Sequence, residues 1–395
     1  MTKDNGFPEF LSAALRDSPQ AKRPVLICNK LLAKHVPSSP RAALDYFRRL
    51  GVLAAKTCRG EKVLVVGFAE TATAVGAAAA AEIPGAVYCH TTRELLPRDR
   101  LVVEFLEEHS HAVNQALYLR PELWRRYDRI VFVEDEITTG KTILNFLRAL
   151  REKEEIAQGV TVATLVFNAC DESVFSAFNA QSCSLTRLDG FLSKPMPIPV
   201  STGSPEPAPL SPEPPLNFSV LGPPDPRLGV GAEEYRAGCA ALAREAAARI
   251  GGDDLRGKRV LVLGTEECMY PALVLGAEIE GIAASVRSHS TTRTPIVPQD
   301  SEGYPIQTRY SFPSLYDRGR TTYLYNVGIY DTVVIVTDAL TGPGADSLVA
   351  LLRARGNKKI YFVRAANAET LSEEALIDGE GPKAPGAWGG APQRG

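Results

Sequence analysis

Two adjacent carboxylates followed by a turn rich in Thr and Gly form the most chemically informative segment. The segment, residues 130–142, reads IVFVEDEITTGKT. Its four apolar residues predict a buried strand with Glu134 and Asp135 at the exit, and a helix is predicted from about Lys141 to Arg151. The amides, hydroxyls and positive helix end of the turn suit a phosphate. The carboxylates accept hydrogen bonds from vicinal hydroxyls or from water on Mg²⁺, so a sugar phosphate would satisfy both parts.

Two other interpretations of this segment compete with a sugar-phosphate site. A Walker A loop ending in Gly-Lys-Thr needs a glycine where Asp135 stands, so that interpretation fails. An ordinary helix cap would account for the Thr/Gly turn, but it would not explain two carboxylates that leave a buried strand.

The elements that position this segment occur twice along the chain. Short β-like runs end at Gly67 and Gly264, and each leads to acidic residues and an Ala- or Leu-rich helical stretch. Each half then repeats the tripeptide Thr-Thr-Arg, ending at Arg93 and Arg293, before a β-branched run, an aspartate and a Thr/Gly turn. The reuse of βα units in α/β proteins explains the alternation but not the repeated tripeptide, so we favour a duplication.

This order of elements predicts an α/β fold with two tandem parallel-sheet domains. Ligands of such sheets bind at the carboxyl ends of the strands. A proline-rich linker is predicted over residues 191–230 and a flexible tail over 371–395. The two predicted domains therefore span residues 1–190 and 231–370.

The composition argues against several classes of protein. The 395 residues carry a net charge of −2, unlike the basic surface of a dedicated nucleic-acid-binding protein. No apolar run approaches the roughly 18 to 20 residues of a membrane span, and the polar N-terminus argues against export. The seven cysteines form no CxxC pair, and with only five histidines a structural zinc site is close to excluded. We expect a cytoplasmic protein that binds neither nucleic acid nor membranes.

The segment IVFVEDEITTGKT resembles the 13-residue signature of type I phosphoribosyltransferases, which bind 5-phosphoribosyl 1-diphosphate (PRPP). Residues 24–190 also resemble the phosphoribosyltransferase-like domain that is encoded with tellurium-resistance stress genes, including the stretch RPVLICNKLLAKHVP. Residues 231–370 resemble the TRSP domain joined to it, through GTEECMYPA, TTRTPI, GYPI and TYLYN. The TRSP domain is named for a Thr-Arg-Ser-Pro motif, and Thr294 departs from it at the third position.

The resemblance implies two phosphoribosyltransferase-like domains, the first of which transfers 5-phosphoribosyl from PRPP to a heterocyclic acceptor, requires Mg²⁺ and releases diphosphate. Glu134 and Asp135 would hold the ribose 2′ and 3′ hydroxyls. The 5′-phosphate would bind the turn formed by Thr138, Thr139, Gly140, Lys141 and Thr142. The product would be a nucleoside-like metabolite, and no direct protein motif for the metal is evident.

Diphosphate is expected at two further strand ends of the first half. The loop of Ala69, Glu70 and Thr71 corresponds to the family loop that contacts diphosphate, often through an unusual non-proline peptide bond; a plain helix cap is the alternative. Arg93 would bind diphosphate with both guanidinium nitrogens.

The acceptor side of the first site is less clearly marked. His109 and His111 are predicted in a mobile hood that assists proton transfer or diphosphate departure; a solvated loop or a metal site is the alternative, and no third clustered ligand is evident. Lys34 and His35 suit either the acceptor pocket or an exposed helix face. Thr138 stands where purine-salvage members often have Asp, which favours an orotate-like acidic acceptor.

A separate anion-binding cleft is expected in the second half, lined by Glu266, Glu267, Arg293, Asp338 and Thr341. Thr337 replaces the first acid, and Pro343 removes an amide donor from the turn. These changes favour a phosphorylated product or intermediate over PRPP held in the usual way. Burial of Arg293 in a structural ion pair would instead make this half a scaffold.

Three functions remain open on the sequence. The first is a phosphoribosyltransferase, and the second is a non-catalytic regulatory protein that senses PRPP or a nucleotide and signals through its TRSP half. The third, a PRPP synthetase, is also a tandem of two such folds, but no motif for its ATP site is evident. One candidate assembly is a homodimer.

Overall fold

The computed structural model describes residues 8–17, 25–105, 115–119, 121–153, 158–168, 172–188, 214–339 and 344–366. We call residues 8–188 the first half and residues 214–366 the second half. Each half contains a sheet of mainly parallel strands with helices packed against it, which confirms the predicted α/β fold with two tandem parallel-sheet domains.

The sheet of the first half has its strands in the order β11-β4-β3-β7-β8-β9, in which β11 (Val230–Gly231) comes from the second half. Its five parallel strands are β3 (Val63–Gly67), β4 (Val87–His90), β7 (Arg129–Ile137), β8 (Gly159–Asn168) and β9 (Ala180–Leu188). The helices of this half are α1 (Pro40–Ala55), α2 (Ala72–Ala80), α3 (Pro121–Trp124) and α4 (Lys141–Lys153). Helix α1 begins at a favourable cap, because Ser39 accepts a hydrogen bond from the Ala42 amide and Pro40 occupies the first turn.

The sheet of the second half is entirely parallel, in the order β10-β17-β16-β12-β13. Its strands are β10 (Leu216–Leu221), β12 (Arg259–Gly264), β13 (Ser285–Ser290), β16 (Thr332–Thr337) and β17 (Lys359–Ala366). Its helices are α5 (Ala232–Ile250), α6 (Gly252–Leu255), α7 (Met269–Ile279) and α8 (Ala345–Ala354). Within the described residues, no helix is long and apolar enough to cross a membrane.

Three antiparallel hairpins cover the carboxyl edges of the two sheets. They are formed by β1 (Leu11–Leu15) with β2 (Val25–Asn29), β5 (Leu101–Phe105) with β6 (Gln115–Tyr118), and β14 (Arg309–Pro313) with β15 (Thr321–Tyr325). The second and third hairpins are equivalent, since each bridges the threonine before the Thr-Thr-Arg arginine, at Thr92 and Thr292. The first hairpin reaches across to the second half, where Arg16 bridges Ile296.

The two halves exchange short segments at their edge strands. Strand β11 (Val230–Gly231), which precedes α5, pairs antiparallel with β4 of the first half. In the reciprocal position, Ser38, which precedes α1, bridges Ser288 in β13 of the second half. The halves are therefore related by an approximate twofold arrangement.

One apolar core continues from the first half into the second. Tyr88 of β4 packs beside Tyr235 of α5, with ring centroids 5.7 Å apart, and Tyr235 stacks on Tyr270 of α7 at the same separation. Helices α1 and α7 approach closely at Gly276, where an added Cβ would lie 3.0 Å from the ring of Pro40. Because these contacts bury large aromatic surfaces, the interface contributes to the stability of both halves.

The last part of the predicted linker is ordered. Residues 214–230 contain strand β10, a short 3-10 helix (Pro226–Leu228) and the start of β11, so the structure assigns them to the folded domains instead of the linker. Strand β10 pairs with β17 from Leu216 to Leu221. The sequence pattern does not reveal this six-residue strand, because prolines flank it on both sides.

Candidate functional site

The loop after β3 is held tightly by its neighbours. An added Cβ at Gly67 would lie 2.5 Å from the Ala72 carbonyl oxygen, so only glycine fits where this loop enters α2. The Ala69 amide donates to the Thr91 hydroxyl at 2.8 Å, and the Gln115 side-chain amide donates to the Ala69 carbonyl at 2.7 Å. The peptide bond between Ala69 and Glu70 is cis. The hydrogen bonds with Thr91 and Gln115 hold the loop in place.

Two cations flank the carboxylate of Glu70. Its oxygens lie 3.4 Å from Lys34 Nζ and 3.1 Å from Arg293 Nε, and only 8% of the residue is exposed. Burial alone would raise the pKa of Glu70, but Lys34 and Arg293 outweigh it and lower the pKa to about 2. Glu70 is therefore an anion at neutral pH and is paired with two protein cations.

Lys34 connects the loop with the acidic strand. It is 3% exposed, donates to the Thr71 hydroxyl and contacts Glu70. Its charge also acts on Asp135, where it opposes the effect of burial. The sequence alone left Lys34 equally suited to an exposed helix face; the structure instead buries it beside both predicted binding segments.

The acidic residues lie inside β7 rather than beyond its end. The strand pairs with β8 as far as Ile137, so Glu134, Asp135 and Glu136 all belong to it. Burial raises the pKa of Asp135 above its usual range, although Lys34 opposes that shift. The third acid, Glu136, accepts a hydrogen bond from Asn168 at 3.0 Å, and burial raises its pKa to about 7.

The turn after β7 has the form of an anion cradle. Gly140 has a φ of 68°, a conformation that favours glycine, and α4 begins at the next residue, Lys141. Thr138, Thr139 and Thr142 are partly exposed. Because α4 is 13 residues long, its N-terminal amides and dipole favour a negatively charged group at this turn.

Comparison with known proteins assigns both halves. Residues 10–186 match the family model "Phosphoribosyl transferase", and residues 225–352 match the TRSP domain that lies C-terminal to this transferase domain. This confirms the suspected domain architecture, and we call the two halves the transferase domain and the TRSP domain below.

Solved structures of two phosphoribosyltransferases are similar to part of the chain. Adenine phosphoribosyltransferase from Giardia lamblia, complexed with 9-deazaadenine, is 16% identical, with a TM-score of 0.33, over 45% of this chain and 93% of its own. Orotate phosphoribosyltransferase from Mycobacterium tuberculosis, in complex with Fe(III) dicitrate, is 18% identical, with a TM-score of 0.29, over 47% and 93%. No curated protein matches the chain. At these identities and TM-scores, neither structure assigns an activity to this chain.

Two of the residues predicted to line a cleft in the TRSP domain, Arg293 and Glu267, contact the transferase domain instead. Arg293 is buried against Glu70, which is the ion pair that argues against an independent cleft. Glu267 accepts hydrogen bonds from the Thr92 hydroxyl at 2.7 Å and from the Arg93 amide at 3.2 Å. Thr341 lies outside the described residues, as do His109 and His111.

The carboxylates of Glu266, Glu267 and Asp338 also pair with side chains of the TRSP domain itself. Arg227 lies 3.0 Å from Glu267 and 2.8 Å from Asp338, and the Tyr316 hydroxyl donates to Asp338. Glu266 accepts from Ser314 and lies 3.3 Å from Arg320. Arg227, Tyr316 and Arg320 were not predicted, since no local sequence pattern marks them.

The two Thr-Thr-Arg segments are exchanged between the domains. The Arg293 amide donates to Glu70 of the transferase domain at 3.3 Å, and the Arg93 amide donates to Glu267 of the TRSP domain at 3.2 Å. Each arginine thus contacts the acidic loop of the opposite domain. The prediction placed Arg93 at its own loop; the structure brings Arg293 to that loop.

Proposed function

We propose that the transferase domain transfers 5-phosphoribosyl from PRPP to a heterocyclic acceptor and releases diphosphate. The observation that carries this proposal is the meeting of three elements: the fixed loop after β3, buried Lys34, and the acidic strand that leads into the turn before α4. Together they offer contacts for diphosphate, ribose hydroxyls and a phosphate on one sheet edge.

The proposed roles follow from the chemistry of each group. Glu134 and Asp135 accept hydrogen bonds from the ribose 2′ and 3′ hydroxyls. The 5′-phosphate binds the amides and hydroxyls of Thr138, Thr139, Gly140, Lys141 and Thr142. The bond from the anomeric carbon to diphosphate breaks, and a bond from that carbon to an acceptor nitrogen forms. Binding both reactants in line and stabilising the departing charge would supply most of the catalysis.

Mg²⁺ is part of the proposal. Glu134 and Asp135 are partly exposed carboxylates, and such oxygen donors fit a hydrated Mg²⁺ ion. Glu70 does not fit, because Lys34 and Arg293 already engage it. Within the described residues no cluster of three potential metal ligands occurs, so the ion would be held jointly with the substrate. When bound, Mg²⁺ neutralises charge that develops on diphosphate.

Three residues are proposed to assist the departure of diphosphate. His109 and His111 would close over PRPP and supply a proton, as predicted for a mobile hood. Arg93 would contact diphosphate through its guanidinium, although its main-chain amide is directed to Glu267. We further propose a cytoplasmic protein, a homodimer, and a product related to nucleosides in a tellurium-resistance setting.

The acceptor is proposed to be an anionic, orotate-like ring. Thr138 cannot serve as a carboxylate base, so an acceptor that is already anionic suits this position better than a purine. We expect diphosphate release with PRPP, Mg²⁺ and orotate to exceed release with hypoxanthine or adenine about tenfold or more. Diphosphate measured across a panel of bases tests this, and brisk turnover of a purine alone would contradict it.

A regulatory sensor is the second candidate, because Arg293 links the transferase loop directly to the TRSP domain. The same panel separates the two functions. Calorimetric binding of PRPP without diphosphate release for any base would favour the sensor, and absence of PRPP binding would exclude both.

A further inference from the structure

The loop after β3 in the transferase domain receives its arginine from the TRSP domain. Arg293 contributes both its main-chain amide, 3.3 Å from Glu70 Oε2, and its side-chain Nε, 3.1 Å from the same oxygen. A second carboxylate oxygen, of Glu266, lies 3.6 Å from Nε. These side-chain contacts involve Nε of the guanidinium and not its two terminal nitrogens, Nη1 and Nη2.

Those terminal nitrogens are buried donors that lack partners. The Arg293 side chain is only 10% exposed, and neither Nη1 nor Nη2 has a hydrogen-bond partner among the residues that the structure describes. A buried guanidinium with unsatisfied donors is unfavourable unless a ligand or water accepts them. Since a guanidinium donates in parallel pairs, the matching ligand is a planar or tetrahedral oxyanion.

Further cations and carboxylates lie around the Arg293 guanidinium. Lys34 lies on the other side of Glu70, so two buried cations flank one carboxylate at this loop. Arg320 adds a third cation through Glu266, which it approaches to 3.3 Å. The Glu70 carboxylate occupies the space between Lys34 and Arg293, so an anion would approach Arg293 from the side of its two terminal nitrogens.

We infer that Arg293 of the TRSP domain completes a binding subsite for diphosphate in the transferase domain. The subsite consists of the two terminal nitrogens of Arg293 and the neighbouring loop 69–71, with Lys34 as a second cation on the far side of Glu70. It rests on the proposed function for the identity of the anion, and it extends that function by making the TRSP domain part of the active site. Arg293 contacts the leaving group directly, whereas Glu70 positions the guanidinium.

The test measures inorganic diphosphate binding to the full chain by calorimetry with Mg²⁺ present. Arg293→Lys keeps the charge but loses the paired donors, and we expect its diphosphate affinity to fall about tenfold. The matched control is Arg259→Lys, because Arg259 is an exposed arginine in a different part of the TRSP domain, and among the described residues it pairs only with Asp331. Wild-type affinity in Arg293→Lys would overturn the inference.

A second measurement protects the test against misfolding of the variant. In the wild-type chain, diphosphate should slow amide hydrogen exchange of residues 67–72 and 291–295 together. Protection of the first segment without the second would also overturn the inference. Failure of the proposed function is distinguishable, because it would remove PRPP binding from the wild-type chain itself, while failure of this inference leaves wild-type PRPP binding intact.

Discussion

Lys34 and Arg227 occupy equivalent places in the two domains, but their contacts with neighbouring carboxylates differ. Each precedes the first helix of its domain and contacts the acid of the adjacent loop, Glu70 or Glu267. Lys34 contacts Glu70 at a single point and affects Asp135 only through its charge. Arg227 instead bonds directly to both Glu267 and Asp338.

This difference decides which sheet edge can accept a ligand. Asp338 accepts hydrogen bonds from Arg227 and the Tyr316 hydroxyl, so side chains of the TRSP domain itself occupy the carboxyl end of this strand. No salt bridge joins Asp135 to another residue in the part of the chain that the structure describes. Lys34 pairs with one carboxylate, whereas the guanidinium of Arg227 pairs with two. The same fold therefore contains one candidate binding site and one structural ion network.

The largest difference between the two domains is expected in the free energy of unfolding after the cation, Arg227 or Lys34, is removed. We expect Arg227→Met to lower the free energy of unfolding by about 3–5 kcal/mol, because Glu267 and Asp338 would be left buried without their shared cation. Lys34→Met should cost less, about 1–3 kcal/mol, because Glu70 keeps Arg293. Urea unfolding measures both variants. Equal losses would show that the two cations are equivalent.

Neutralising the strand aspartate should separate binding from structure. We expect Asp135→Asn to weaken PRPP binding about 10–100-fold while the fold persists, since burial already disfavours the charged form of Asp135. Asp338→Asn is the matched variant. It should bind PRPP like wild type and melt at a lower temperature, because Arg227 loses one partner. Unchanged PRPP affinity in Asp135→Asn would refute the assignment of the hydroxyl site.

The smallest expected effect is on pH dependence, and it appears in both domains. Burial raises the pKa of Glu136 and of Glu266 to about 7, from an ordinary value near 4.5. The folded state therefore holds more protons than the unfolded state between about pH 4.5 and 7, and each group lowers stability as the pH rises through that window. Glu136→Gln and Glu266→Gln should each flatten the decline in melting temperature relative to wild type. A steeper decline in either variant would contradict the raised pKa.

The sequence predicted what is encoded locally. The strand, acids and turn of residues 130–142 lie within one contiguous segment, and the structure shows the corresponding strand, turn and helix. The equivalence of the two Thr-Thr-Arg segments was also visible, because each follows a β-like run. Periodicity and turn residues carry this information.

The partners across the domain boundary could not be predicted in the same way. Glu70 and Arg293 are separated by 223 positions, and their contact depends on how two folded domains pack. Arg227 follows a proline-rich stretch that gave no sign of burial, so its segment was assigned to a linker. Single charged residues have no period or motif, and only the tertiary structure reveals which carboxylate they meet.

The shared edge of β4 has a consequence for synthesis of the chain on the ribosome. Tyr88 and its strand are complete long before Val230 and Tyr235, which cover them, have been translated. The nascent transferase domain therefore leaves the exit tunnel with an apolar ring and open main-chain donors at its margin, features that favour aggregation. Chaperones that bind nascent chains would find their target here until the TRSP domain docks, so folding of the first domain is completed only after residues 230–235 have been synthesised.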